Sequence, residues 1–310
     1  MFIQTGILLS PSYLSLITPA RWFTADAQDN SFPKLRQFVR NHNHFSVINS
    51  YIGKNLFPST DLSTVSAFLW DKKYSGDVRF TEYFGEYNEM TRPLFEKDCS
   101  IILPSNNLVS ILKKVAKTNF IPLNTITTGR DAFGIVGKNI ENKSSELPFE
   151  GSIKIQCAHE EIRYYDKSLV MKNIEIMNAF KIFTSKGNGG AGLLTDGKPV
   201  SIIGKAFVAG PDSACTDSLI PFGCFDNITE AINLQKYFCT KFLRILVGIL
   251  KVSQNLYQNV YEFVPLQDFS AESDINWKLP ISEIDNQLYR KYNLTEDEID
   301  FIEKMIKPMD

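Results

Sequence analysis

The chain has 310 residues and a net charge of −2, and 44% of its residues are hydrophobic against 22% that are charged. This composition is typical of a soluble globular protein with one large or two ordinary domains. No apolar run reaches the roughly 18 residues that a membrane-spanning helix needs. Residues 2–9 lack the basic flank and the cleavage site of a signal peptide. We therefore expect a cytoplasmic protein with no membrane partner.

Charge is distributed unevenly along the chain. Residues 91–257 carry 20 basic and 15 acidic side chains, whereas residues 258–310 carry 5 basic and 12 acidic ones. A basic middle region suits a polyanion-binding face, although its excess of positive charge is small. The five cysteines form no C-x-x-C motif and the three histidines complete no zinc pattern, so we expect buried, reduced thiols and no metal site.

Residues 1–92 alternate strand and helix patterns, as α/β domains do. Residues 14–17 are predicted to form a buried strand, and residues 32–41 an amphipathic helix with Arg36 on its polar side. Further strands are predicted at 45–51, 63–70 and 78–84. Strands joined this closely indicate an antiparallel hairpin edge on a mostly parallel sheet.

Residues 93–257 have a different texture, with a helix near 107–117, several short β-runs and long polar loops. We predict a β-rich α+β domain that ends in one long helix over residues 228–255, capped by Asn227 with Glu230 three residues later. Residues 258–310 are predicted to be an acidic helical tail, with a second capping box at Thr295.

Residues 187–192 spell G-x-G-x-x-G, but Gly197 and Pro199 follow where a cofactor-binding helix would have to begin. The stretch is therefore a loop, either a plain flexible one or one that approaches a DNA backbone. Asp196 and Lys198 are a fragment of a nuclease motif without its upstream acidic partner. Phe57 precedes a proline between two predicted strands, where its ring either packs on the core or faces a ligand.

Several segments together resemble adenine-specific DNA methyltransferases of type II restriction-modification systems. They match the later part of the catalytic domain and the target-recognition domain that follows it. The segments are LITPARWF (16–23), FPSTD (57–61), AFLWDK (67–72), RDAFG (130–134), TKFLR (240–244), FVPL (263–266) and IDNQLYRKYNLT (284–295).

The resemblance also shows what is missing. Those enzymes bind S-adenosylmethionine through a glycine-bearing loop and position the adenine with an Asn-Pro-Pro-Tyr-type loop, both upstream of the Ile-Thr-Pro strand. No Pro-Pro dipeptide occurs here, and no glycine loop precedes Leu14. The resemblance thus implies a chain truncated at its N-terminus, without catalytic residues or a cofactor of its own, although S-adenosylmethionine serves the full-length family. Whether the chain takes part in an enzyme stays open.

By resemblance, Phe57 is the aromatic that stacks on a flipped-out adenine. The middle domain would bind double-stranded DNA through basic side chains. Three readings remain: a recognition portion that is inactive alone, a methyltransferase subunit completed by a separate chain, or a folded remnant that self-associates. The residues expected to contact DNA are Phe57, Arg130, Lys181, Lys186, Lys198 and Lys205.

Overall fold

The computed structural model describes residues 2–24, 29–60, 62, 64–84, 87–97, 99–129, 131–138, 140–188, 193, 199–251 and 255–309. The chain divides into two compact units. The first contains residues 1–113, 191–200 and 249–253, and the second contains residues 114–190, 201–248 and 254–310. The sequence pattern instead predicts a domain boundary between residues 92 and 93, and a separate tail that begins at residue 258.

The first unit contains a five-stranded sheet of order β1-β3-β2-β4-β5. Only the pair β2 and β4 is parallel, so the expected mostly parallel sheet is mostly antiparallel. The connections from β2 to β3 and from β4 to β5 are short, and short connections join antiparallel neighbours. The strands are β1 (Tyr13–Pro19), β2 (Phe45–Ile52), β3 (Thr64–Asp71), β4 (Val78–Tyr83) and β5 (Tyr87–Arg92).

One face of this sheet carries the core of the first unit. Two helices, α1 (Phe2–Leu8) and α2 (Ser31–Asn41), pack there with a 3-10 helix over Ala20–Phe23. The predicted helix over 32–41 is therefore present. Arg36 is buried instead of facing solvent, because its guanidinium donates to the carbonyl oxygens of Trp22 (3.1 Å) and Ser100 (3.1 Å).

Strand β1 is not the buried strand that the sequence predicted. It pairs with β3 along one side, and its residues alternate between half-buried and exposed. Tyr13 is 66% exposed and Ile17 is 61% exposed. Their side chains share one face of the strand, since alternate residues point to the same side. Within the described residues, β1 is thus an edge strand with one apolar face open to solvent.

The second unit contains two three-stranded sheets, of order β10-β6-β7 and β11-β8-β9. The predicted β-rich character is present, and the chain as a whole is mixed α/β. The chain passes from the first unit to the second within helix α4 (Asn106–Ala116). The strands are β6 (Ser152–Gln156), β7 (Ile162–Asp166), β8 (Phe180–Ser185), β9 (Phe207–Ala209), β10 (Ser213–Cys215) and β11 (Leu219–Phe225). The remaining helices are α3 (Gly53–Leu56), α5 (Ile174–Met177), α6 (Ile228–Cys239), α7 (Lys241–Leu250), α8 (Ile281–Lys291) and α9 (Glu296–Met305).

The single long helix predicted over 228–255 is divided into α6 and α7. Asn227 caps α6 as predicted, because its side chain accepts from the amide of Glu230 at 3.0 Å. The chain leaves the helical conformation at Thr240, whose hydroxyl accepts from the amide of Leu243. Buried Asp285 then caps the first turn of α7. The apolar periodicity continues through the break, so the sequence pattern alone does not reveal it.

The predicted capping box at Thr295 is also present at the start of α9. The Thr295 side chain accepts from the Glu298 amide, and the Glu298 carboxylate accepts from the Thr295 amide at 2.7 Å. Glu298 is buried and pairs with Lys114 at 2.7 Å. The acidic C-terminal helices are therefore tied into the second unit by specific polar contacts.

Four of the five cysteines are buried, but Cys224 is exposed. Its position differs from the expectation because β11 is irregular between Phe222 and Phe225, where the register with β8 shifts. Gly223 has a φ of +85° there, a conformation that glycine adopts readily and other residues rarely do. The irregularity turns the Cys224 side chain outward.

Candidate functional site

Phe57 lies in a tight loop at the carboxyl end of β2. The one-turn helix α3 precedes it, and its amide donates to the carbonyl oxygen of Gly53 at 2.8 Å. Its own carbonyl accepts from the Thr60 amide (3.1 Å) and hydroxyl (2.9 Å). The ring is 39% exposed. The loop therefore holds the backbone of Phe57 in place and leaves part of its ring open to a ligand.

Gly53 fixes the shape of this loop. A Cβ at this position would lie 2.1 Å from the carbonyl oxygen of Leu62, far inside any contact distance. The backbone of residue 62 therefore packs directly against Gly53. Only glycine allows this approach.

A polar row crosses the buried face of the first sheet near the carboxyl ends of β2 and β4. Ser50 of β2 is in register with Ser66 of β3 and with Glu82 of β4. The row continues to Thr18 of β1 and to Asn88 of β5. Ser50, Ser66 and Glu82 are buried. Buried polar groups without hydrogen bonds are costly, and among the described residues the Ser50 hydroxyl has no partner.

Asn106 supplies hydrogen bonds at the β4 and β5 end of the row. The backbone amide of Asn106 donates to the Glu82 carboxylate at 2.7 Å. The side-chain amide of Asn106 donates to the carbonyl oxygens of Phe80 (3.1 Å) and Asn88 (3.3 Å). Burial raises the pKa of Glu82 above the usual range of a carboxyl group, and the hydrogen bonds from the Asn106 backbone amide and from Ser105 oppose that rise, as does the charge of Arg92. Glu82 thus caps the first residue of α4 and ties the helix to the ends of β4 and β5.

Arg92 lies beside this network with its guanidinium 4.0 Å from the centroid of the Phe80 ring. It donates to the carbonyl oxygen of Leu103 at 2.6 Å, and burial lowers its pKa to about 10. Because it is enclosed, Arg92 acts within the first unit and does not present its charge to a ligand.

Three tyrosines line the opposite face of the same strand ends. Tyr51 of β2 and Tyr83 of β4 are register partners, and their rings stack with centroids 4.7 Å apart and planes 7° apart. Tyr87 of β5 faces Tyr83 in register, with centroids 5.7 Å apart and planes at 72°. We call these three residues the tyrosine ladder. Sequence reasoning missed it, because the pairing of β2 with β4 brings together residues 32 positions apart in the chain.

Among the described residues, the turns that follow β1 and β2 are closely packed. The turn after β1 is filled by the buried side chains of Ala20, Trp22 and Phe23. In the turn after β2, the space beside Gly53 is occupied by the backbone of Leu62. Within the described residues, both turns are therefore filled by the protein's own atoms.

Lys181, expected at the DNA surface, is instead fully buried in β8. Its ammonium donates to the carbonyl oxygens of Met177 (2.9 Å), Ala179 (3.1 Å) and Gly210 (2.8 Å). Burial lowers its pKa to about 8. The side chain of Lys181 ties β8 to its neighbours and presents no cation to a phosphate.

Lys186 and Lys205 remain accessible. The Lys186 ammonium pairs with Asp217 at 3.3 Å while its side chain stays 34% exposed. Lys205 is exposed and lies at the rim of a cavity of about 720 Å³ in the second unit. Arg130 and Lys198 lie outside the described residues, as do Asp196 and much of the glycine-rich stretch.

Other cations that line this cavity are already bound by the protein. Lys241 pairs with Glu303 at 2.5 Å, and Lys236 donates to the carbonyl oxygen of Trp277 at 2.6 Å. Arg244 is fully buried and donates to the carbonyl oxygens of Thr240 (3.1 Å), Lys307 (2.7 Å) and Cys239 (3.0 Å). The cavity therefore offers fewer available charges than its lining implies.

Within the described residues, no group of three or more histidine, cysteine or carboxylate side chains is arranged so that it could hold a metal ion. Among those same residues, no helix combines the length and the apolar character that crossing a membrane requires.

No family model matches the chain. Over 113 residues, which make up 36% of this chain, it is 26% identical to a curated protein of Mycoplasma pneumoniae named an uncharacterized adenine-specific methylase. The match covers 26% of that protein. The chain is thus similar in sequence to an adenine-specific methylase, which agrees with the resemblance carried by its motifs.

Solved structures of restriction-modification enzymes show a distant likeness. The type IIG restriction endonuclease BpuSI matches 95% of this chain with a TM-score of 0.41 and 11% identity, and 47% of that protein is covered. The type IIL restriction-modification enzyme MmeI, solved in complex with DNA, matches 98% with a TM-score of 0.42 and 8% identity, and 50% of it is covered. The chain spans half or less of each, and TM-scores this low carry no argument about chemistry.

Proposed function

We propose that this chain recognises double-stranded DNA as part of an adenine-specific restriction-modification methyltransferase. The observation that carries the proposal is the partly exposed ring of Phe57, held in a fixed loop at the carboxyl end of β2. An enzyme that modifies adenine must draw the base out of the duplex and stack it against such a ring. Sequence similarity to an adenine-specific methylase supports a role in DNA modification.

In this proposal the second unit is the target-recognition domain, and Lys186 and Lys205 neutralise phosphates. Lys186 would exchange Asp217 for a phosphate oxygen, which is a modest rearrangement for a partly exposed ion pair. Arg130 and Lys198 keep the DNA-contact role proposed from the sequence. Lys181 has no part in it, because its ammonium is buried and bonded to carbonyl oxygens.

We further propose that the chain does not transfer methyl groups by itself. Its sequence contains no Pro-Pro dipeptide, so an Asn-Pro-Pro-Tyr loop for the adenine amino group is absent from these 310 residues. The close packing of the turns after β1 and β2 is consistent with this proposal. The chain's own part would be to bind the duplex and to hold the flipped base at Phe57, inside the cytoplasm where such systems act.

A second candidate function is that of a methyltransferase subunit completed by a separate chain. The edge strand β1 favours it, because backbone groups along the outer side of β1 have no strand partner within the described residues. The reading frame upstream of the gene tests this candidate. We expect a frame that encodes the glycine loop and the Asn-Pro-Pro loop, and a genome with no such frame would contradict the candidate.

Electrophoretic mobility shift with duplex DNA tests the leading proposal. We expect binding at about 50 mM salt that weakens steeply as salt rises, because phosphate contacts release counterions. Absence of a shift at about 50 mM salt would overturn the proposal. Light scattering on the same sample identifies the remaining alternative, a remnant that self-associates through its open sheet face.

A further inference from the structure

No role described above explains the tyrosine ladder of the first sheet. Tyr87 is 63% exposed and Tyr83 is 39% exposed. Three aromatic rings in contact across three strands are not needed to keep a protein surface soluble. Contiguous apolar patches on a protein surface can mark binding sites, whereas single exposed rings need no explanation.

The ladder is held rigidly. The Tyr87 hydroxyl donates to Glu89 at 2.6 Å, and the Thr81 hydroxyl donates to the same carboxylate oxygen at 3.0 Å. Tyr51 supports Tyr83 from the other side through the stacked contact. A binding group fixed in this way loses little conformational entropy when a ligand arrives.

The ring geometry leaves room for another flat group. Because the planes of Tyr83 and Tyr87 are 72° apart, at least one broad face of the Tyr87 ring is not covered by Tyr83. The exposure of Tyr87 shows that solvent reaches this ring. An offset-stacked or edge-to-face partner is what such a ring prefers.

One exposed cation, Arg79, lies on the same sheet face as the ladder. Arg79 is exposed and lies on the same face of β4 as Thr81 and Tyr83, since alternate residues of a strand share a face. The Glu89 carboxylate accepts from two hydroxyl groups, and the nearby charge of Arg79 also lowers its pKa. A ligand with flat rings and a negatively charged backbone fits this combination.

We propose that the tyrosine ladder binds the unpaired bases of a single DNA strand, with Arg79 beside its phosphates. Sheet surfaces that bind single strands combine stacked aromatic rings with basic side chains in this way. The inference rests on the proposed function for its choice of DNA as the ligand. A single strand is the form whose bases are free to stack on the ladder, because the bases of a duplex are already stacked on one another.

Fluorescence anisotropy with two labelled strands tests the ladder. One is an oligothymidylate of about 12 nucleotides, and the other is an abasic strand of equal length that keeps the phosphates. Tyr87→Ala and Tyr83→Ala are expected to weaken thymidylate binding about 5- to 150-fold, because stacking contributes about 1–3 kcal/mol per base. Binding of the abasic strand should be unchanged by either substitution.

Two controls separate stacking from other effects. Tyr87→Phe keeps the ring and loses only the hydroxyl bond to Glu89, so its thymidylate affinity should stay near that of the unaltered chain. Tyr13→Ala removes an equally exposed tyrosine from β1 and should have no effect. Thermal unfolding confirms that each variant is folded.

The outcomes are distinct. Equal losses on both strands, or no loss in Tyr83→Ala and Tyr87→Ala, would overturn the ladder even if duplex binding is intact. Base-dependent binding that the ladder variants abolish would support the ladder even if the chain failed to bind duplex DNA. Failure of the ladder is therefore separable from failure of the proposed function.

Discussion

The carboxylate of Asp285 accepts a hydrogen bond of 2.9 Å from the backbone amide of Phe242, in the first turn of α7. Its other oxygen accepts from the amide of Lys241 at 3.0 Å. Asp285 comes from α8, so this contact fixes the start of one helix against the side of another. A carboxylate at a helix N-terminus satisfies amides that have no partner within the helix.

The first prediction concerns the pH dependence of stability. Burial raises the pKa of Asp285 to about 7, against the opposing hydrogen bonds from Phe242 and Lys241. Between the unfolded pKa near 3.8 and the folded pKa near 7, the folded chain binds the extra proton, so this group lowers stability as pH rises through that window. Asp285→Asn should flatten the slope of the unfolding midpoint from about pH 4 to about pH 7. Exposed Asp300→Asn is the control, and an unchanged slope in Asp285→Asn would contradict the assignment.

The second prediction concerns the structural role of the buried Lys181 side chain. Lys181→Met removes the donor for three carbonyl oxygens and should lower the free energy of unfolding by about 2–3 kcal/mol. Lys154→Met, at an exposed position on β6, should have little effect on thermal unfolding. Equal unfolding midpoints for the two variants would show that the buried ammonium contributes nothing to stability.

The third prediction concerns the loop that holds Phe57. Gly53→Ala places a Cβ against the backbone oxygen of Leu62 and should cost about 1–3 kcal/mol through forced movement of the loop. Gly204→Ala is the control, because its added Cβ would lie 3.7 Å from the Ser185 hydroxyl, an ordinary contact. Chemical denaturation compares them, and a Gly53→Ala variant as stable as the control would mean that the loop has another shape.

The fourth prediction asks whether the Phe57 ring serves the core. Because it is 39% exposed, Phe57→Ala should lower the free energy of unfolding by less than about 1 kcal/mol. Leu35→Ala, at a position 2% exposed in α2, should cost about 2–5 kcal/mol in the same titration. A Phe57→Ala loss as large as that of Leu35→Ala would assign the ring to packing.

The sequence predicted those elements whose signals are local. The helix over residues 32–41, the strand over 45–51 and the caps at Asn227 and Thr295 follow from residue periodicity and from capping chemistry within four positions. The break at Thr240 was missed, because the group that stabilises it comes from Asp285, 45 positions away. Long-range partners of this kind leave no trace in a local pattern.

In the candidate site, too, local patterns predict some residues and long-range contacts decide the others. Phe57 was singled out because an aromatic residue and a proline between two strands form a local motif, but its proposed role came from the resemblance and stays a prediction. Lys181 was assigned to the surface because lysine is seldom buried, and its three carbonyl partners are set by tertiary contacts. The tyrosine ladder depends on the parallel pairing of β2 with β4, which the spacing of tyrosines along the chain does not encode.

The salt dependence of duplex DNA binding tests the central claim most directly. For the unaltered chain we expect the logarithm of the association constant to fall linearly with the logarithm of salt concentration. Replacing both Lys186 and Lys205 by alanine should reduce that slope by about 1–2, since each phosphate contact contributes about 0.9. Lys278→Ala, in the acidic C-terminal region, should leave the slope unchanged. No measurable duplex binding, or an unchanged slope in the double variant, would contradict the account.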